Sequence, residues 1–239
     1  MKVAVSYSFG KDSTLALHRI CEQGHTPAAL IVMVNPSYDR SWFHGVDRYF
    51  MERIGEALRI PLICCETEGE TYHTALEDGI RRAKQLGIQA CVFGDIDIEE
   101  HALWCRERCR HTSVQPLFPL WHCPRKELVQ EAIDLGYQAR IKCIRNDLLP
   151  ESLLGKTLDR AIIQELENSG VDVCGERGIS ALVTDGAVPS QLPWNRRFCN
   201  LEKFPLLTCG PCRRKGGALS NDEREPHGKP GSFHKVNDR

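Results

Sequence analysis

Near the start of the chain, Ser8-Phe9-Gly10-Lys11-Asp12-Ser13 stands between a short apolar run and a segment of helical period. Two hydroxyls, an ammonium and a glycine packed this closely make a site for an oxyanion. Ser8 and Ser13 can donate to phosphate oxygens, Lys11 supplies charge, and Gly10 permits a turn that a side chain would obstruct. Amides left unpaired at a helix start, and the positive end of the helix dipole, point at whatever fills the preceding loop. The stretch is not a Walker A loop, because Asp12 separates the lysine from the hydroxyl. A strand-to-helix turn capped by Asp12 or Ser13 is the simpler alternative.

Such a loop needs a strand before it and a helix behind it. Val3–Tyr7 reads as a buried strand, and a helix follows from about Ser13, with Leu17, Ile20 and Cys21 on one face and Gly24 as its stop. Ala29–Val34, Leu62–Cys65 and Ala90–Phe93 are further apolar runs of strand length, as expected when both faces of a sheet are covered. Between them apolar residues step by three or four. The series are Phe43, Val46, Phe50, Ile54, Ala57, then Tyr72, Leu76, Ile80, Ala83, Leu86, then Ile98, Ala102, Cys105, Cys109. This alternation predicts an α/β fold, a Rossmann-like parallel sheet.

After Pro116–Pro119 the rhythm changes. A helix near Lys126–Leu135, a strand at Gln138–Ile144, a helix at Leu158–Leu166 and a Gly-rich stretch, Gly170–Gly186, predict a smaller α+β domain. The expected division is 1–119, 120–215 and a tail, 216–239, too polar to offset its ordering entropy and so disordered.

The hydrophobic fraction of 41% and net charge of −1 are those of an ordinary globular chain with no field favouring nucleic acid or an anionic membrane. No apolar run approaches the ~18 residues of a membrane span, and MKVAVSYSFG is not a signal peptide. A cytoplasmic protein is expected. Its twelve cysteines are scattered through apolar runs and read as reduced core thiols. Cys209-Gly210-Pro211-Cys212, with Cys199 upstream, is half of a metal or thiol-exchange site or a set of incidental thiols. His44, His73 and His101 lack ligand spacing and are read as surface or core residues.

The stretch Ser8–Ser13 resembles the PP-loop, S-G-G-x-D-[ST], of the ATP pyrophosphatases in the adenine nucleotide alpha-hydrolase-like, HUP-type fold. Phe9 stands where that motif has its first glycine. A positive φ there would cost a Phe about 1–2 kcal/mol. Further on come Phe93-Gly94-Asp95-Ile96, Pro119-Leu120-Trp121, Leu154-Gly155 and Cys174-Gly175-Glu176. Taken in order over about residues 1–190, these segments resemble the diphthine–ammonia ligase family, with its G-D-I, P-L-W and C-G-E-x-G-E motifs. The last is altered: Ile179 replaces the second glutamate, and a His-Thr pair is absent.

The resemblance implies an ATP-dependent amide ligase. A substrate carboxylate, small or protein-borne, attacks the α-phosphate of ATP, pyrophosphate leaves, and ammonia displaces AMP. It implies ATP on Ser8, Phe9, Gly10, Lys11, Asp12, Ser13 and Gly94, with adenine near Met33 and Val34. Lys11, Asp12, Asp95 and Glu176 are then the candidate catalytic residues. Mg²⁺ is expected, with Asp12 or Asp95 as ligand, and Glu176 is expected to orient the substrate amine or ammonia. Because the chain begins Met1-Lys2, ammonia should come free or from a partner and not from a built-in glutaminase. The altered segment makes an acceptor other than diphthine an expectation too. A homodimer is left open. Two rivals stand beside this reading: a PP-loop tRNA sulfur transferase using Cys209 and Cys212, and a regulatory module that holds ATP without turnover.

Overall fold

The computed structural model describes residues 1–145, 148–173, 179–186 and 212–214. In chain order the first half runs β1 (Lys2–Ser6), α1 (Lys11–Glu22), β2 (Thr26–Asn35), β3 (Arg40–Ser41), α2 (Arg48–Leu58), β4 (Leu62–Glu66), α3 (Tyr72–Lys84), β5 (Ala90–Val92), α4 (Glu99–Thr112) and β6 (Gln115–Leu117). The second half runs α5 (Arg125–Asp134), β7 (Gln138–Arg145), a 3₁₀ turn (Glu151–Leu153), α6 (Arg160–Asn168), β8 (Ile179–Asp185) and β9 (Cys212–Arg214).

The first half is an α/β unit on a mostly parallel, six-stranded sheet. Its order is β3-β2-β1-β5-β6, with β4 also paired to β2. Only the short β3 runs antiparallel to its neighbour. Alternate strand residues face opposite ways, and the two burial clusters follow that period. Val3, Val5, Leu30 and Val32 join α1 and α2 through Leu15, Ile20, Phe50 and Ile54. Ala4, Ile31 and Met33 join α3 and α4 through Leu76, Ile80, Cys105 and Cys109. The β7–β8 pair is antiparallel, and β9 joins β7 in parallel to complete a second, three-stranded sheet. The α1–α2 side of the first core continues without a break into this half, through Leu128, Ile141, Ile163 and Leu182.

Three departures from the sequence reading have local causes. The stripe beginning at Phe43 is not all helix, because α2 starts at Arg48 and Phe43 is exposed. Asp47 caps that helix, its carboxylate accepting from the Phe50 amide at 2.9 Å. The strand β6 lies across what reads as a break at Pro116. As an edge strand paired only to β5, it tolerates a proline that donates nothing. The Gly-rich stretch conceals β8, whose Ile179, Ala181, Leu182 and Val183 are all buried. The expected tail, 216–239, lies outside the described residues.

Candidate functional site

The chain leaves β1 toward β2 on one side and later returns to β5 on the other. The carboxyl ends of β1 and β5 therefore flank a topological switch point, the crevice where open α/β sheets bind ligands. Ser8–Ser13 follows β1, and Gly94–Asp95 follows β5. The two loops touch: a Cβ built on Gly94 would lie 3.0 Å from both the Asp12 carbonyl carbon and the Ser13 nitrogen. Gly94 is thus a spacer that lets one backbone approach the other.

Phe9 takes φ 68°, the left-handed conformation. The glycine of the motif is absent, yet the residue in its place takes a conformation that glycine adopts readily. The ring is fully buried and packs edge-on against Tyr7 at 5.0 Å between centroids. Burying it contributes about 1.5–3 kcal/mol, which offsets the ~1–2 kcal/mol of left-handed strain. Its carbonyl accepts from the Val183 amide at 3.1 Å, and Gly10 bridges Leu182. The loop is therefore bonded to β8 of the second sheet. Gly10 has φ −80°, so it is not the residue that makes the turn.

Among the described residues no side chain caps α1: its N-cap is Gly10, not Asp12 or Ser13 as the simpler alternative had it. The hydroxyls form an internal lattice. Ser13 Oγ lies 3.1 Å from Ser8 Oγ, accepts from the Ser8 amide at 3.3 Å and donates to the Gly10 carbonyl at 3.1 Å. The same carbonyl takes the Thr14 hydroxyl at 2.9 Å and the Thr14 amide at 3.1 Å. With two lone pairs and three donors, it can release the Ser13 hydroxyl to an incoming oxyanion. Tyr7 donates to the Thr14 hydroxyl across 3.0 Å. Burial pushes its phenol up to about 12, the Thr14 hydrogen bond opposing, so it stays a neutral donor.

Lys11 is buried, with its ammonium 2.9 and 3.0 Å from the Asp12 carboxylate oxygens. The pair is electrically neutral, so positive potential at the loop comes chiefly from backbone amides and the helix end. Asp95 is held on the neighbouring loop by His101, 3.4 Å away, and by the Cys105 thiol at 3.8 Å. Burial and the adjacent Asp95 charge push that thiol well above its ordinary range, so it remains protonated. Asp12 and Asp95 are only partly exposed. Among the described residues no group of three metal-ligating side chains gathers. Magnesium shared with phosphate oxygens and water needs only one or two carboxylates, and this pair of loops fits that requirement.

Met33 is buried in β2, and its carbonyl accepts from the Trp42 amide at 3.0 Å. Beyond the ends of β2 and β4 opens a cavity of about 570 Å³ lined by Pro36, Glu66, Thr67, Glu68, Glu70 and Thr71. Its acidic wall disfavours phosphate. Glu176, Cys199 and Cys209 lie outside the described residues, and Cys212 opens β9. His44, read from the sequence as a surface or core residue, lies beside the loop. Nδ1 of its ring lies 3.0 Å from Ser180 Oγ in β8, and the ring sits against Gly10. The Asp47 cap signal could have freed it from the helix, but nothing in its spacing points to the loop.

Two family models match, described as the diphthamide synthase N-terminal domain over residues 1–116 and the diphthamide synthase C-terminal domain over residues 124–191. The chain belongs to the diphthamide synthase family. Curated relatives named diphthine--ammonia ligase include the Homo sapiens and Bos taurus proteins, each 28% identical over 204 residues, covering 74% of this chain and 76% of theirs. The Danio rerio relative is 27% identical over 202 residues, covering 74% and 79%. A crystal structure from Methanocaldococcus jannaschii, of a tRNA methyltransferase subunit assigned by prediction, superposes at TM-score 0.39 with 14% identity. It covers 58% of this chain and 77% of that one, a likeness too slight to carry weight. No helix among the described residues is long and apolar enough to cross a membrane.

Membership in the diphthamide synthase family puts the altered segment in a physical light. Ile179, standing for the motif's second glutamate, is 1% exposed and pairs with Ile144 in the second sheet. A carboxylate there would be buried in an apolar core at a cost of several kcal/mol or more. The next residue, Ser180, provides the hydroxyl that meets His44.

Proposed function

We propose that this protein is an ATP-dependent amide ligase that forms AMP and pyrophosphate. The observation that carries the proposal is the loop at the switch point: left-handed at Phe9, opening α1 at a glycine N-cap, and pressed against Gly94. That geometry suits an oxyanion, and relatives across three-quarters of the chain are named diphthine--ammonia ligase.

A carboxylate oxygen of the acceptor attacks the α-phosphorus of ATP. The bond from that phosphorus to the bridging oxygen breaks, and pyrophosphate departs with its electrons. Ammonia then attacks the acyl carbon, AMP leaves, and the nitrogen gives up a proton to yield the amide. Backbone amides at the start of α1, with the Ser13 hydroxyl, stabilise charge growing on the departing pyrophosphate. Asp12 and Asp95 would hold Mg²⁺, which when bound neutralises phosphate charge. Lys11, tied to Asp12, orients that carboxylate and approaches the phosphates.

The acceptor is a carboxylate of the diphthine class, and the chain divides into nucleotide and acceptor halves near residue 120. Purified protein given ATP, Mg²⁺, ammonium and elongation factor carrying diphthine should release AMP and pyrophosphate in step with amide. ADP and orthophosphate as products would overturn the proposal. AMP release only with some other carboxylate would keep the reaction and replace the acceptor.

A further inference from the structure

In the segment between β3 and α2, His44 lies against Gly10 of the loop. A Cβ built on Gly10 would lie 2.3 Å from His44 Nε2 and 2.9 Å from Cε1. With φ −80° and ψ 167°, Gly10 has an extended backbone that any residue adopts. Its glycine is needed for room, and the imidazole takes that room.

The second sheet holds the ring in place. The Ser180 hydroxyl meets Nδ1 at 3.0 Å. Lys142, from β7, donates to the carbonyls of His44 and Gly45, the latter at 3.3 Å. In a neutral imidazole one nitrogen donates and the other accepts. When the Ser180 hydroxyl donates to Nδ1, the proton belongs on Nε2, the atom turned toward the loop. The segment between β3 and α2 thus sets the Nε2 edge of the imidazole against Gly10 of the loop.

Resting on the reading that ATP binds at Ser8–Ser13, we infer that His44 is a binding residue for the pyrophosphate moiety. It donates from Nε2 to a β- or γ-phosphate oxygen, and Ser180 and Lys142 act as positioning residues. The nucleotide grip is then set partly by side chains of the second half.

The test is calorimetric titration of the full chain with three ligands: α,β-methylene ATP, inorganic pyrophosphate and AMP. His44→Ala should weaken the first two by about ten- to a hundredfold and leave AMP unchanged. His44→Gln, which keeps an N–H at similar reach, should recover most of the loss, and Ser180→Ala should fall between. Unchanged affinities in His44→Ala overturn this inference and leave the ATP reading intact. An equal loss for AMP also overturns it, by showing a structural role. If the wild-type chain binds α,β-methylene ATP no better than buffer, the ATP reading itself has failed. Should His44→Ala not fold, Ser180→Ala decides through the same ligand comparison.

Discussion

Replacing Phe9 by alanine and by glycine tests whether the loop truly holds a left-handed residue. The ring is fully buried, so truncation to alanine should cost about 3–5 kcal/mol. Alanine at φ 68° still carries the ~1–2 kcal/mol of left-handed strain, and glycine carries none. Against that relief, glycine loses a buried methyl, about 0.8 kcal/mol, and pays ~0.5–1 kcal/mol in unfolded-chain entropy. The terms nearly cancel. Phe9→Gly and Phe9→Ala should therefore unfold within about 1 kcal/mol of each other, both well below wild type. At an ordinary extended position the same arithmetic makes glycine worse by roughly 1.5 kcal/mol. Urea unfolding followed by circular dichroism gives both values directly. A glycine variant clearly less stable than the alanine variant would refute a left-handed Phe9.

Three further outcomes follow from the geometry. Gly94→Ala places a methyl 3.0 Å from the backbone of Asp12 and Ser13, which cannot swing aside. It should cost about 1–3 kcal/mol in urea unfolding and weaken ATP binding by calorimetry; unchanged values would show that the loops are not pressed together. Burial raises the Glu77 carboxyl, but the hydrogen bond with His111, the charge of Arg108 and the hydrogen bond from Arg81 outweigh it, so the pKa sits below its ordinary 4.5. The stability it adds is complete above about pH 5 and is lost as pH falls through the lower folded value. Glu77→Gln should flatten that acid limb of a pH series of urea midpoints, and an unaltered limb would contradict it. Burial pushes the Cys21 thiol up to about 12 and Cys65 up to about 11. Iodoacetamide should label both by mass spectrometry only after unfolding; native labelling would disprove their burial.

What could be read from the chain alone was whatever is contiguous. The Ser8–Ser13 loop and the Gly94–Asp95 turn each lie at the end of an apolar strand, and the β-α rhythm predicts a sheet that sets such ends side by side. The role of Phe9 was visible only as a conflict between residue type and motif. Its resolution lies in burial against Tyr7 and in a bond to Val183, far away in sequence. His44 stayed hidden for the same reason, since its partner Ser180 is 136 residues away. Gly10 was assigned the turn, yet Phe9 makes it, because a glycine in a motif does not reveal whether it is kept for conformation or for room. Pro116 masked β6, and flanking glycines masked β8, since composition reports breaks more readily than edge pairing.

The hydrogen bond from the Val183 amide to the Phe9 carbonyl, beside the bridge that pairs Leu182 with Gly10, makes the loop a joint possession of two sheets. Severing the polypeptide between them would leave the front portion with a correctly wound helix but a rim supported on one flank only. Neither portion is then a free-standing module, and any shift of β8 is transmitted directly to the peptide units of the loop.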